Sequence, residues 1–365
     1  MKKVSVVFFL MCTSLFLLWS CEEDDTNSSD GGNPDIAFDR EAMLTHWADH
    51  FIIPGYENYI STLNELSQAN TELVKEPTTT TLQNVRISWL EAAKAWQYVS
   101  MFEIGKAEEL SLRNFTNIYP VDAEAIDENV LSGTHNLDLP STIDEQGLMA
   151  LDYLYYGIGS SEALIVSAYT DSKTGSYTTA LIEKLQQMSN EVLQDWKSNF
   201  RAQFIANSGS SATASVDRLV NDYIFYYEKF LRAGKVGIPA GVFSRTKNPN
   251  TVEALFSGQS RTLFLEAVSA VNDFFEGKGT INGPSLRQYS AAIGRTDLGE
   301  AVTSRFDTVK DKASRLDANF STQVEVDEAA MKDIFDELQR NVVSLKSDLL
   351  SVLNIRVDFV DADGD

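Results

Sequence analysis

From Asp39 onward, apolar side chains recur at every third or fourth residue along almost the whole chain. This spacing places them on one face of an α-helix. Asp39 is the expected N-cap of the first helix, because its carboxylate can accept hydrogen bonds from free N–H groups of the first turn. The apolar positions continue past a predicted break at Pro54-Gly55 and comprise Met43, Trp47, Phe51, Tyr59, Leu63 and Leu66. Since no series of strands is apparent, the pattern predicts an all-α protein.

The same periodicity predicts the other helices and a division of the chain. They cover residues 82 to about 105, 146–156, 177–204, 216–232, 252–275, 285–293, 297–317 and 326–353. Between residues 106 and 145, prolines and glycines interrupt the pattern, which predicts short helices and loops. The small, polar run 207–215 is the predicted linker between two helical bundles, residues 37–206 and 216–365.

The first twenty residues have the layout of a secretory signal peptide. Lys2 and Lys3 precede a mainly apolar run, residues 4–18, which is too short to span a membrane as a helix. The following Leu18-Trp19-Ser20-Cys21 resembles a bacterial lipobox, in which cleavage before the cysteine is followed by its acylation. Residues 1–20 are therefore predicted to be a lipoprotein signal peptide, with an ordinary signal that ends beside Cys21 by chance as the alternative.

Residues 21–36 are predicted to form a lipidated cysteine followed by a flexible acidic tether. Glu22-Glu23-Asp24-Asp25 precedes a stretch rich in Ser, Asn and Gly, which cannot bury enough apolar surface to fold. An acidic run directly after a lipidated cysteine resembles the export signal of Bacteroidetes surface lipoproteins. We therefore expect an outer-membrane lipoprotein that is held to the lipid bilayer by Cys21 and exposed at the cell surface. The alternative is a lipoprotein that faces the periplasm.

Cleavage would change both the charge and the cysteine content. The full chain has 30 Lys and Arg and 53 Asp and Glu, which gives a net charge of −23. The leader holds two lysines and no acidic residue, so the mature chain has 28 basic and 53 acidic residues and a net charge of −25. This acidity argues against nucleic-acid partners, which bind basic surfaces. With Cys12 removed and Cys21 acylated, the mature chain has no thiol for a disulfide or for thiol catalysis.

His46 and His50 are weak candidates for metal ligands. Their spacing of four residues places both rings on one helix face, but Trp47 stands where a zincin has its catalytic Glu, and no third ligand is apparent. A histidine pair without metal is the preferred interpretation. The Gly-rich run 234–241 lacks the ending of a phosphate-binding loop, so it predicts a turn that terminates a helix.

The most informative stretch begins at Gly147. Gly147, Met149 and Asp152 occupy the positions of Gly-x-His-x-x-Glu, and the stretch resembles this signature of the imelysin family. That family comprises exported, all-helical bacterial proteins, among them an insulin-cleaving metallopeptidase and iron-regulated outer-surface proteins. In this chain Met149 stands at the position of the histidine, and Asp152 stands at the position of the glutamate. A thioether prefers soft metals, so Met149 cannot substitute for an imidazole toward zinc or ferric iron.

The resemblance extends over nearly the whole mature chain. The similar segments are 52–56, Trp89 with 95–97 and 102–103, 118–122, 235–241, and 252–257 followed by Ser260. The resemblance implies two domains, each like a four-helix bundle, with a polar cleft where the signature helix meets the second half. It places Gly147 and Asp152 in that cleft, together with the further candidates Asp122, Glu103 and Ser260. Arg261 is a further candidate, which would neutralise a carboxylate of the cleft; the default interpretation is a surface arginine.

Three functions are consistent with these observations. We expect a non-catalytic binding component of iron or haem uptake, whose partners would be iron, haem or iron-transport proteins; carboxylates such as Asp152 would hold the iron, since hard cations accept oxygen ligands. One alternative is a metallopeptidase of the imelysin type, in which His46 or His50 replaces the missing ligand. The other is a structural or adhesion module that has kept the fold and lost the site.

Overall fold

Residues 38–358 are described here in a computed structural model. The predicted signal peptide, Cys21 and the tether lie outside the described residues, as do residues 359–365. The described residues contain no β-strand, only an isolated bridge between Lys278 and Asn282, so the all-α prediction is confirmed. Among them, no helix combines the length and apolarity that crossing a membrane requires.

The described residues form a series of α-helices joined by turns, loops and π-helical segments. The α-helices are α1 (Arg40–Trp47), α2 (Ile53–Lys75), α3 (Thr79–Gln97), α4 (Lys106–Glu109), α5 (Leu112–Thr116), α6 (Ala123–Ser132), α7 (Gly147–Asp152), α8 (Glu162–Ala168), α9 (Ser172–Asp195), α10 (Arg201–Ala206), α11 (Ser215–Phe225), α12 (Ser260–Glu276), α13 (Leu286–Ala292), α14 (Thr296–Ser314), α15 (Phe320–Val326), α16 (Glu328–Val342) and α17 (Leu350–Val352). Segments with π-helical hydrogen bonding occupy Ala48–Ile52, Tyr153–Gly157, Trp196–Phe200, Tyr226–Gly237 and Val343–Leu349, and short 3₁₀ turns occupy Pro140–Thr142 and Pro249–Thr251. Each π-helical segment directly continues an α-helix.

The first helical rod shows how the local sequence builds this fold. Asp39 caps α1 as predicted, and its carboxylate accepts a hydrogen bond from Ala42 N. The predicted break at Pro54-Gly55 is wrong. The π-helical segment Ala48–Ile52 leads directly into α2, and the N–H of Ile53 donates to the carbonyl of Ala48. Pro54 then lies in the first turn of α2, directly after the π-helical segment.

Other helix ends also differ from the prediction: α12, for example, begins at Ser260 rather than at Val252. α3 ends at Gln97 rather than near residue 105, because the N–H groups of Tyr98 and Val99 bond three residues back and tighten the chain into a turn. The helix that begins with α11 continues through Gly237, so only the second part of the run 234–241 forms a turn. The prediction of short helices and loops between residues 106 and 145 is confirmed by α4, α5 and α6.

The two halves of the sequence share a buried core. Phe274 of α12 contacts the rings of Trp47 and Phe102, with centroid distances of 4.9 Å and 5.3 Å. The described residues, 38–358, belong to one compact unit. Residues 207–214 form a mostly exposed loop between α10 and α11, and the division of the chain into two domains at this loop stays a prediction.

Candidate functional site

Helix α7 begins at a residue that must be glycine. Gly147 has a φ of +79°, a conformation that residues with a Cβ rarely adopt. A Cβ at this position would lie 2.4 Å from the carbonyl oxygen of Thr116. The start of α7 therefore packs directly against the backbone at the end of α5. All six residues of α7 are buried, and Trp89 Nε1 donates to the carbonyl of Leu148 at 2.8 Å.

Met149 and Asp152 bind the same stretch of backbone from one face of α7. The sulfur of Met149 accepts a hydrogen bond from Ala254 N at 3.1 Å. The two carboxylate oxygens of Asp152 accept from Phe256 N at 2.9 Å and from Ser257 N at 3.1 Å. Ala254 itself has a φ of +53°, which is strained for a residue other than glycine. We call residues 254–257 the clamped segment, because α7 holds their N–H groups in place.

The burial of Asp152 changes its acidity. Loss of hydration is the main cause that raises the pKa of this carboxyl to about 7. Hydrogen bonds from Ser257 and Phe256 lower the pKa, and the negative charge of Glu253 raises it. A carboxyl whose pKa is higher in the folded protein than in the unfolded chain stabilises the fold at low pH, and this contribution is lost as the pH rises through the folded pKa.

Asp152 is therefore expected to make the protein less stable as the pH rises from about 4 to above 7. A rise from the ordinary value of 3.8 to about 7 corresponds to a loss of at most about 4 kcal/mol. Urea denaturation at pH 5 and at pH 8 measures it: the unfolding free energy of the wild type should fall more steeply than that of Asp152→Asn. Glu103 titrates in both proteins, so its contribution cancels in the comparison. An equal fall of the unfolding free energy in the wild type and in Asp152→Asn would contradict the raised pKa of Asp152.

A buried ion pair lies beside the clamped segment. Glu253 and Lys235 are 2% and 3% exposed, and the ammonium of Lys235 donates to the carboxylate. The other oxygen of Glu253 accepts from Asn117 Nδ2 at 2.8 Å and from Gln97 Nε2 at 3.3 Å. Burial lowers the pKa of Lys235, and the carboxylate of Glu253 counteracts this. A carboxylate of the second half is thus bound by two amides of the first half.

Two small pockets flank this polar interior. A pocket borders Met149, Asp152 and the clamped segment. A second pocket lies between Arg113 and Lys235. The side-chain oxygens of Gln97 and Asn117 are buried here without a hydrogen-bond donor. Such acceptors cost free energy when left unpaired.

Ser260 and Glu103 take different places. The Ser260 hydroxyl is buried and donates to the main-chain oxygen of Glu253 at 2.6 Å, so it supports the ion pair. Glu103 lies in a separate network around Arg113. Its carboxylate accepts from Arg113 N at 2.9 Å, while the guanidinium binds both oxygens of Asp222 at 3.0 Å. Burial raises the pKa of Glu103 to about 7, although Arg113 lowers it.

Asp122 and Arg261 make contacts unlike those predicted from the sequence. Asp122 is exposed and caps α6, where its carboxylate accepts from Ala125 N at 3.0 Å. The guanidinium of Arg261 donates to the main-chain carbonyl of Leu316 rather than to a carboxylate of the cleft. Neither side chain lines the pocket beside Met149 and Asp152.

The histidine pair lies far from Asp152. His46 Nε2 is 3.1 Å from the carbonyl oxygen of Gly277, and His50 Nδ1 is 2.7 Å from Thr280 Oγ1. Both rings therefore contact the loop that follows α12, whereas Asp152 contacts the segment that precedes α12. Because α12 has 17 residues, it separates these sites by about 25 Å. His46 and His50 cannot complete a metal site with Asp152.

The residues at the signature positions do not fit the metal that a metallopeptidase requires. The thioether of Met149 is a poor ligand for zinc or ferric iron, and both oxygens of Asp152 accept main-chain hydrogen bonds. Across residues 38–358, no group of three or more His, Cys, Asp or Glu side chains is arranged to hold a metal ion. No catalytic step through a metal follows from this site.

Lys235, Glu253, Gln97 and Asn117 were not predicted as site residues. Lys235 and Glu253 do fall within the segments 235–241 and 252–257 that resemble the imelysin family. The signal that identifies them is a charged residue inside a run of small and apolar residues, as in Ala233-Gly234-Lys235-Val236-Gly237. A charged residue in such a run either lies at the surface, where the core is interrupted, or is buried and paired with an opposite charge.

The fold and the site define an all-helical protein in which a glycine-initiated helix joins the first half to a partly buried segment of the second. The chain belongs to the imelysin family, peptidase family M75, whose sequence profile matches residues 52–349. The resemblance seen in the sequence is thereby confirmed. No curated protein sequence matches the chain.

Two solved structures have a similar fold. An imelysin-like protein from Psychrobacter arcticum superposes with a TM-score of 0.71 at 20% sequence identity, over 88% of this chain and 97% of that chain. A putative iron-regulated protein A precursor from Parabacteroides distasonis superposes with a TM-score of 0.68 at 14% identity, over 84% of this chain and 94% of that chain. At these identities the similarity establishes the fold alone.

Proposed function

We propose that this chain is a non-catalytic member of the imelysin family, which acts as a lipid-anchored binding component of iron or haem acquisition at the cell surface. The observation that carries the proposal is the use of the signature positions. Met149 and Asp152 accept hydrogen bonds from the clamped segment, so the groups that would hold a catalytic metal serve the fold instead.

The connection with iron rests on a structural relative and on charge. The relative from Parabacteroides distasonis is described as iron-regulated. The present chain carries a net charge of −23, and carboxylates are the ligands that ferric and other hard cations prefer. Because Asp152 is occupied by main-chain donors, the cargo would be held by other groups of the protein. Acylated Cys21 would keep the protein at the membrane.

The peptidase alternative is weaker for a specific reason. A hydrolytic metal needs several ligands, an open position and a general base. His46 and His50 are the nearest substitutes for the missing ligand in the sequence, and the structure places them at the other end of α12 from Asp152. A structural or adhesion module remains the second alternative, and it differs from our proposal by binding neither iron nor haem.

Activity and binding measurements test the proposal. The full chain, purified from detergent-solubilised membranes, is expected to leave insulin uncleaved when zinc or ferrous iron is supplied. It is expected to bind ferric citrate or hemin saturably in a calorimetric titration, and Asp152→Asn should bind the same probe within about twofold, a change of about 0.4 kcal/mol. Hydrolysis of insulin by the wild type would overturn the non-catalytic assignment. If the wild type binds neither ferric citrate nor hemin, the proposed link with iron is overturned.

The variant Met149→His/Asp152→Glu provides the matched control. It restores both signature side chains without altering the remainder of the chain. If this variant gains metal or activity that the wild type lacks, the two substitutions account for the loss. If the wild type and the variant cleave insulin equally, the signature positions are irrelevant to hydrolysis and the proposal fails.

A further inference from the structure

The loop that follows α12 is docked on the two histidines of the first helical rod. It comprises residues 277–285, between α12 and α13, and we call it the latch loop. His46 Nε2 lies 3.1 Å from the carbonyl oxygen of Gly277, and His50 Nδ1 lies 2.7 Å from Thr280 Oγ1. The N–H of Thr280 also donates to the main-chain carbonyl of His50 at 2.9 Å. The contacts between the loop and the rod therefore all involve the histidine pair.

The closed loop fits the neutral form of His46. Because a carbonyl oxygen only accepts, Nε2 carries the hydrogen that Gly277 binds, and the lone pair of the neutral ring is on Nδ1. A Cβ at Gly283 would lie 2.3 Å from this Nδ1, so the loop backbone covers that edge of the ring. Among the described residues, none accepts a hydrogen bond from Nδ1. A second proton on this ring, which is 4% exposed, would thus be shielded from water and left without an acceptor.

The surroundings of His46 do not favour a positive charge. Burial lowers its pKa, the hydrogen bond to Gly277 raises it, and the charge of His50, whose ring centroid is 5.1 Å away, lowers it. The charge of His50 also lowers the pKa of Asp49. The other charged groups on the neighbouring elements are mostly paired with one another: Asp49 with Arg201, Asp217 with Arg40, Glu276 with Lys278 and Arg287, and Asp273 beside Lys278 and Lys310, while Glu41 is exposed.

We propose that the latch loop is an acid-released latch, which stays docked while His46 is neutral and opens when His46 gains a proton. The uncharged ring is satisfied in the closed position, whereas the imidazolium is fully hydrated only after the loop has moved away. A proton on His50 adds repulsion between two neighbouring cations. This device lies at the other end of α12 from the signature site, and it does not depend on the proposed link with iron.

Release of the loop would uncover an aromatic ring. Phe51 packs edge-on against His46 and against Phe274, with centroid distances of 5.5 Å and 5.4 Å. A Cβ at Gly279 would lie 3.0 Å from the Phe51 ring, so the loop backbone covers part of it. The open form therefore presents apolar surface that the closed form hides.

The direction of the pH effect follows from the lowered pKa of His46. A histidine that binds a proton less readily in the closed state than in the open one favours opening as the pH falls below its ordinary value of 6.5. At pH 5.5 an exposed histidine is about 90% protonated, which limits the increase in opening to about tenfold. Asp152 has the opposite effect, because it stabilises the fold at low pH, so global unfolding would not produce this response.

Hydrogen exchange of the wild-type chain tests the proposal. The full chain is labelled at pH 7.5, 6.5 and 5.5, with times corrected for the intrinsic exchange rate, and its peptides are analysed by mass spectrometry. We expect protection of the latch loop, which includes the Thr280 amide, to fall about threefold to tenfold from pH 7.5 to pH 5.5. The turn at Gly294, whose N–H donates to Ala291, should keep its protection. Constant protection of the latch loop, or an equal change at Gly294, would overturn the proposal.

Glutamine variants identify the ring that responds. In His46→Gln the amide nitrogen can still donate to Gly277 but does not titrate, so the loop should stay docked at pH 5.5 and its protection should no longer depend on pH. His135→Gln replaces an exposed histidine outside the latch loop and should keep the wild-type response. The proposal fails if His46→Gln responds to pH as the wild type does, or if His135→Gln loses the response.

A direct titration covers the case in which His46→Gln does not hold the loop closed. The ring protons of the three histidines are followed by NMR in the wild-type chain, folded and in urea. His46 should gain its proton at a lower pH in the folded protein than in the unfolded chain. If it gains the proton at the same or a higher pH when folded, the latch is refuted whatever the variant shows.

Discussion

Replacement of Gly147 by alanine is expected to lower the free energy of unfolding by about 3–5 kcal/mol or to prevent folding. Two costs add at this position. The φ of +79° is strained for any residue with a Cβ, and the new Cβ would lie 2.4 Å from the carbonyl oxygen of Thr116. Because the obstructing atom belongs to the backbone, no side-chain rotation relieves the contact. Urea denaturation followed by tryptophan fluorescence measures the loss.

Gly294 provides a matched control for this experiment. Its φ of +81° is nearly the same, but no heavy atom lies within 4 Å of a Cβ built there. Gly294→Ala therefore carries the conformational strain alone, about 1–2 kcal/mol. The difference between the two variants isolates the close approach of α7 to the end of α5. Equal losses would show that the approach is not as tight as the structure indicates.

Lys235→Met is expected to cost about 3–5 kcal/mol, because it leaves the carboxylate of Glu253 buried without its cation. The partners are 3% and 2% exposed, so water cannot replace the ammonium. The double variant Lys235→Met/Glu253→Gln should recover most of this loss, since the glutamine removes the buried charge and its oxygen still accepts from Asn117. Thermal and urea denaturation of the wild type and the single and double variants measure the recovery.

An exposed ion pair gives the comparison for Lys235. Lys310 pairs with Asp307 at 3.0 Å on the surface of α14, with side-chain exposures of 32% and 65%. Lys310→Met should change the unfolding free energy by less than about 1 kcal/mol. If Lys235→Met costs no more than Lys310→Met, or if the double variant is as unstable as the single one, the buried pair does not contribute as argued here.

Much of the fold was predictable from local sequence. The Asp39 cap and the apolar spacing of Met43, Trp47, Tyr59 and Leu63 depend on residues within a few positions of one another, and these apolar side chains are indeed buried. The break expected at Pro54-Gly55 was wrong for a local reason as well. A shift to π-helical bonding before Pro54 lets the helix continue, and this shift has no reliable pattern in the sequence.

The candidate site was only partly predictable. Periodicity and the family resemblance singled out Gly147, Met149 and Asp152 on one helix. Their partners are main-chain N–H groups about a hundred residues later, and backbone donors carry no sequence signature. In the same way, the spacing of His46 and His50 could not show that both rings contact the loop after α12. Tertiary contacts decide these questions.

The hydrogen bond from Ala254 to the sulfur of Met149 has an evolutionary consequence. A side chain at position 149 supports the fold if it accepts one N–H bond, and the thioether of Met149 does so, although it is a weaker acceptor than an imidazole nitrogen. Selection for a stable fold and selection for a metal ligand therefore act separately at this position. A lineage can give up the histidine and its chemistry while the clamped segment stays in place, which leaves the scaffold free to acquire another role.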